Sequence, residues 1–206
     1  MRQSTITAFL DSLADRTPAP GGGATAALHL GQAAALVSMV ARYSTGPRYA
    51  EHAAVIDGIC SAADAIRERA LHFAEADMAA FSSVIDAYRL PKSTESEAAE
   101  RDRVIGVALT DAARVPAEVL ASACAVIELA DELLPVANRT VISDIAAAAE
   151  AARAAATTAR VNVEVNLPGI PPSDARLAFI DALSSVDATV SQADRITTQV
   201  RKQLNS

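Results

Sequence analysis

At 206 residues, 51% hydrophobic but only 3% aromatic, the chain must build its core from small and aliphatic side chains, which suits closely approaching helices in one domain over residues 1–206. A formal net charge of −7 argues against a nucleic-acid partner, because neutralising phosphates needs a clustered basic excess. Cys60 and Cys124 stand alone, with neither C-x-x-C nor zinc spacing, and are read as buried small residues of a reducing cytoplasm.

Residues 4 to 14 predict a short amphipathic helix. The opening "MRQSTITAFLDSLADR" carries Asp11 and Asp15 early and fits neither a signal nor a transit peptide. Pro18 and Pro20 lead into Gly21, Gly22 and Gly23, and residues 24 to 41 follow without a formal charge. An uncharged run of that length sits at the lower limit for crossing a bilayer. Its alanine content, interrupted by His29, Gly31, Gln32 and Ser38, is too weakly apolar for a span, so a buried helix to about Tyr43 is expected and no membrane partner.

"STGP" at 44 to 47 predicts a turn, and a long helical pattern runs from Tyr49 to about Arg89. Pro91 breaks it, Thr94 with Glu97 forms a capping box, and the next helix continues to about Leu134 with a bend at Pro116. "LPVANR" turns the chain again, a helix covers Thr140 to Asn166, "LPGIPPSD" is a loop, and one amphipathic helix fills 173 to 204. No period-two strand pattern is present. The expected fold is all-α, a bundle of long antiparallel helices. Pieces of about forty residues reach about 60 Å, too long for one small globule to cover, which predicts a homodimer.

Two carboxylates stand out. The apolar stripe Ile59, Ala63, Ile66, Ala70, Phe73, Phe81, Val84, Tyr88 is interrupted by Asp77, which spacing places on the buried face. Desolvation there raises a carboxyl pKa. Either an interhelical hydrogen bond or a salt bridge to an arginine such as Arg114 holds it, or it is an acid–base group. Asp144, in "NRTVISDIAAAA", begins an alanine-rich helix, where capping or a favourable dipole contact is the structural alternative to a functional role. Gly21, Gly22 and Gly23 at a helix start either expose backbone amides to a ligand or permit a close helix crossing. The P-loop Lys-Ser/Thr and a preceding strand are missing. His29, His52 and His72 form no H-E-x-x-H pair, so no metal site is expected. Arg42, Arg48 and Arg139 stand beside turns, where they are either solvated or available to an anionic ligand.

The order of these pieces resembles the cyclodeaminase/cyclohydrolase family, which includes the C-terminal domain of formiminotransferase-cyclodeaminase and stand-alone methenyltetrahydrofolate cyclohydrolases. The resemblance is carried by "FLDSLADRTPAPGGGATAAL", "LVSMVARYSTGPRYA", "DMAAFSSVIDAYRLPKSTESEAAERD", "NRTVISDIAAAA" and "VNVEVNL". It implies an all-α dimer that binds a tetrahydrofolate between helices, without a permanently bound cofactor. The glycine start, the Asp77 helix and the Asn138 to Asp144 segment would meet at the site. Asp77 and Asp144 would serve catalysis, and Pro20, Gly21, Gly22, Gly23, Arg42, Arg48, Asn138 and Ser143 would bind substrate. The implied reaction is hydrolysis of 5,10-methenyltetrahydrofolate to 10-formyltetrahydrofolate, with formiminotetrahydrofolate cyclodeamination as the alternative. A noncatalytic helical dimer binding a small molecule or protein is the other function class. The sequence departs from the family pattern at Arg42 and Thr140, where asparagines are usual.

Overall fold

The computed structural model describes residues 4–205; residues 1–3, at the start of the segment read above as no leader, and residue 206 lie outside the described residues. Seven α-helices follow in order: α1 Ile6–Ala14, α2 Gly22–Tyr43, α3 Ala53–Tyr88, α4 Glu95–Leu133, α5 Ser143–Asn166, α6 Asp174–Ser184 and α7 Val186–Leu204. Among the described residues there is no strand, so the all-α expectation holds.

α2 is the axis of the bundle. It packs against α3, α5 and α4, and Ala24, Ala26, Ala27, Ala33, Ala34 and Ala41 are fully buried along it. α5 answers with fully buried Ala148, Ala149, Ala152, Ala155, Ala156 and Ala159. Methyl-sized side chains on facing helices let their backbones approach more closely than leucine-sized contacts allow. α2 has the length and hydropathy of a membrane span, and its apolar surface is spent on these neighbours.

Connections are short and their chemistry is local. The Thr94 hydroxyl accepts from the Glu97 amide at 3.1 Å, and Glu97 Oε2 accepts from the Thr94 amide at 3.0 Å, the capping box that the sequence predicts. Gly46 turns the chain after α2 at φ 96°, a conformation in which a Cβ is strained. α4 runs on through Pro116 as one 39-residue helix. The expected single C-terminal helix is divided at Ser185. The two pieces serve different neighbours: Phe179 of α6 belongs to the cluster built on Ile105, Leu109 and Val163, whereas Val186, Ala193 and Ile196 of α7 belong to the main core.

Lengths matter for function. α3 and α4, at 36 and 39 residues, extend over about 54 and 58 Å, whereas α2, at 22 residues, covers about 33 Å. Where α2 begins, the main core ends and a smaller cluster of Val84, Ala113, Val163 and Phe179 takes over. A notch remains between the two.

The alanine packing generates a test. Ala152→Leu adds three carbons to a fully buried site and should cost about 1–3 kcal/mol, lowering the melting temperature by roughly 3–10 °C. Ala147→Leu, on the exposed face of the same helix, should leave it within about 2 °C. Equal melting of the two variants in differential scanning calorimetry would contradict the packing account.

Candidate functional site

The notch at the start of α2 encloses about 200 Å³. Gly21, Gly22 and Gly23 form one wall, Asp77 and Phe81 of α3 a second, and Asn162 and Asn166 of α5 a third. Pro18 and Ala19 also line it; Pro20, joined to Ala19 by a cis peptide bond, does not.

Asp77 organises this place. α2 starts with Gly21 as its N-cap and no side-chain cap, leaving first-turn amides without intrahelical acceptors. The Asp77 carboxylate, half-buried on α3, accepts from the Ala24 amide. It thus caps α2 from a neighbouring helix. Desolvation holds the Asp77 pKa above the ordinary carboxylate value, and the Ala24 hydrogen bond partly offsets that rise. Arg114, the salt-bridge partner considered from sequence, pairs with Asp111 at 3.2 Å instead. The partner that Asp77 meets is therefore the backbone of α2 and not an arginine.

The three glycines are not equivalent. A Cβ at Gly21 would meet nothing within 4 Å, and one at Gly22 would touch the Asn162 side chain at 3.4 Å, an ordinary contact. At Gly23 it would overlap the whole Asp77 carboxyl group. Close crossing and amide exposure, alternatives in the sequence, coincide here: Gly23 permits the crossing, and the crossing sets the carboxylate beside the amides of the helix start.

The remaining predicted residues lie elsewhere. Arg42 and Ser38 both bind the Asp64 carboxylate, with Ser38 Oγ donating at 2.7 Å. The Arg42 guanidinium is thereby neutralised by α3, and its ion pair draws the Asp64 pKa down. Arg48 is exposed and lies over the Tyr49 ring at 5.9 Å. Asn138 spends its side chain on backbone: Nδ2 donates to the Tyr43 carbonyl at 2.8 Å, and Oδ1 accepts from the Thr140 amide at 3.0 Å. Its own amide donates to Ser44 Oγ at 2.8 Å. Asn138 ties the α4–α5 turn to the end of α2. Ser143 and Asp144 occupy the first turn of α5, the position from which the helix dipole favours an anion.

The expected meeting of the Asn138 to Asp144 segment with the glycine start does not occur within one chain. Asp144 and Asn162 sit toward opposite ends of the 24-residue α5, about 27 Å apart along its axis. Nor does the stripe on α3 run straight: Phe81 is 43% and Tyr88 52% exposed, while Ala74, Val84 and Ala87 are buried. The open Phe81 ring lines the notch. Asn162 and Asn166 were missed because a polar residue near a helix end reads as solvated; the signal was their recurrence four apart, one helical turn, in "VNVEVN". A larger groove of about 480 Å³ between α4 and α7 is lined by Glu128, Asp131 and Glu132, and these carboxylates oppose an anionic ligand.

Two outcomes follow from this geometry. Gly23→Ala should lower stability by about 1–3 kcal/mol, while Gly21→Ala should be close to neutral; equal melting of the two would contradict the contact. Because folding raises the Asp77 pKa, ionising this group opposes folding. Its contribution is most favourable at low pH and declines as pH rises from about 4 through the folded value. The melting temperature of Asp77→Asn relative to the parent should therefore increase between about pH 4 and 7, and a pH-independent difference would exclude the desolvation effect.

Comparison with known proteins places this arrangement. Residues 5–183 match the family model described as formiminotransferase-cyclodeaminase. The chain is 34% identical over 203 residues to the methenyltetrahydrofolate cyclohydrolase of Methylorubrum extorquens, covering 98% of this chain and 96% of that protein. It is 29% identical over 165 residues to the formimidoyltransferase-cyclodeaminase of Rattus norvegicus, covering 80% of this chain and 30% of that longer protein. The formiminotetrahydrofolate cyclodeaminase structure from Thermotoga maritima superposes with a TM-score of 0.86 at 26% identity, covering 100% of this chain and 99% of the other. With a family match over most of its length and a full-length relative above 30% identity, this chain belongs to the formiminotransferase-cyclodeaminase family.

Proposed function

We propose that this chain hydrolyses 5,10-methenyltetrahydrofolate to 10-formyltetrahydrofolate, with Asp77 as the acid–base residue and the folate seated in the notch between α2, α3 and α5. The similarity to a methenyltetrahydrofolate cyclohydrolase along nearly the full length of both chains supports this choice of reaction. The observation that carries the site is the half-buried Asp77 carboxyl group, with a raised pKa, at the wall of a cavity bordered by the glycine turn.

The chemistry uses what is there. The methenyl carbon bridges N5 and N10 as an amidinium cation. Water adds to it with loss of a proton, giving a hydroxylated bridge carbon. The C–N5 bond then breaks as N5 gains a proton and the hydroxyl loses one, leaving a formyl group on N10. One proton is released overall. A carboxyl group whose pKa lies closer to neutrality than an ordinary aspartate serves both proton transfers better than a fully solvated one. The Ala24 amide bonded to Asp77 also fixes the carboxylate against the helix start.

Cyclodeamination is the second reading, favoured by the superposition on a formiminotetrahydrofolate cyclodeaminase. It closes the same bridge and expels ammonia at the same carbon. The folate is substrate and product in either direction. We place the protein in the cytoplasm as a homodimer, without nucleic-acid or membrane partners. The exposed Val161, Val165 and Leu177 supply apolar surface for a second copy. Asp144 and Ser143 belong to the Asp77 site only through such a copy, because their own chain holds them at the far end of α5.

Purified protein should bleach the methenyl chromophore well above the buffer rate. Asp77→Asn keeps an acceptor for the Ala24 amide but cannot exchange a proton, and should lower turnover by about two to four orders of magnitude with folate affinity within a few-fold. A fully active Asp77→Asn enzyme with an unchanged pH profile would make the carboxylate a structural cap only. Light scattering at dilute concentration checks the assembly: twice the chain mass is the expected result, and a stable monomer contradicts the dimer.

A further inference from the structure

The third wall of the notch carries a recognition pattern that proton transfer does not use. Asn162 donates through Nδ2 to the Thr158 carbonyl at 2.8 Å, and Asn166 donates through Nδ2 to the Asn162 carbonyl at 2.8 Å. A backbone carbonyl only accepts, so these bonds identify the nitrogen of each amide. Each side chain keeps its carbonyl oxygen as an acceptor, together with one remaining N–H. Both residues are half-buried and border the same 200 Å³ space as Asp77. The Gly22 position lies against the Asn162 amide, its missing Cβ 3.4 Å from Nδ2 and 3.6 Å from Oδ1. The wall formed by Asn162, Asn166 and Asp77 offers two amide oxygens and a carboxylate against two remaining N–H groups, a balance that suits a ligand edge carrying N–H donors.

Resting on the folate reading above, we infer that Asn162 and Asn166 are specificity-determining residues that accept hydrogen bonds from the N–H edge of the reduced pterin, holding it against α5 while the one-carbon bridge faces Asp77. That edge carries an exocyclic amino group beside the ring N3–H, and it is unchanged by hydrolysis at the bridge. The two oxygens, one helical turn apart, meet a donor pattern that a ring lacking the amino group does not offer. Recognition by acceptors that would otherwise stay unpaired discriminates strongly against a ligand missing its donor.

Calorimetry with 5-formyltetrahydrofolate and with its analogue carrying a methyl group in place of the 2-amino group separates this role from a structural one. The parent chain should bind the amino compound more tightly. Asn162→Ala and Asn166→Ala should each weaken the amino compound about ten-fold and the methyl analogue less than about three-fold, so that discrimination shrinks in both variants. Loss of affinity for both ligands by the same factor, or no loss for the amino compound, overturns the assignment. If the parent chain turns over the methenyl substrate and both variants keep its KM, the folate reading stands and the asparagine role falls. If the parent chain neither binds the amino compound nor turns over the methenyl substrate, both fall together.

Discussion

The approach of the α2 start to Asp77, with no side chain on Gly23 between them, is the constraint on which the site depends. Asp77 occupies the volume that a Cβ at Gly23 would need, and in that position it accepts the Ala24 amide and loses solvent. One contact thus caps a helix, desolvates a carboxyl group and defines the edge of a cavity. The alanine surfaces of α2 and α3, with Ala63, Ala70 and Ala74 buried on the latter, make it possible, because methyl-sized contacts bring the backbones close enough. The fold and the proposed chemistry share the same few ångströms.

Length mismatch does the rest. α3 and α4 outrun α2, so the core divides into a large cluster and a small one, and the notch lies where α2 is missing. At the opposite end of α2 the polar groups have other work. Asn138 and Ser44 lock the α4–α5 turn to α2, and Arg42 is neutralised by Asp64.

Much of this was legible in the sequence. Asp77 interrupted an apolar stripe, and the structure finds it half-buried. Thr94 and Glu97 announced a capping box and form one. Helix periodicity described α3, α4 and α5 because their buried faces recur at three and four residues. The division at Ser185 escaped because both halves of 173 to 204 are amphipathic, and only their different partners separate them. Phe81 belonged to the stripe by spacing yet faces the notch, since past the start of α2 there is no helix to cover it. Asp144 illustrates a different limit: residues that a family motif associates with one site lie at opposite ends of α5 in one chain, and spacing in sequence carries no information about a second copy. Asn162 and Asn166 read in sequence as solvated residues near a helix end, because the donor each amide spends on its own helix becomes visible only in three dimensions.

The central claim is that the notch beside Gly23 and Asp77 is where the folate sits. A crystal structure of the protein with 5-formyltetrahydrofolate tests it most directly. The account predicts the pterin ring in the notch against Asn162 and Asn166, with its one-carbon group within hydrogen-bonding reach of the Asp77 carboxyl. Density for the ligand at the Arg42–Asp64 end or in the groove between α4 and α7, with the notch left empty, would contradict it.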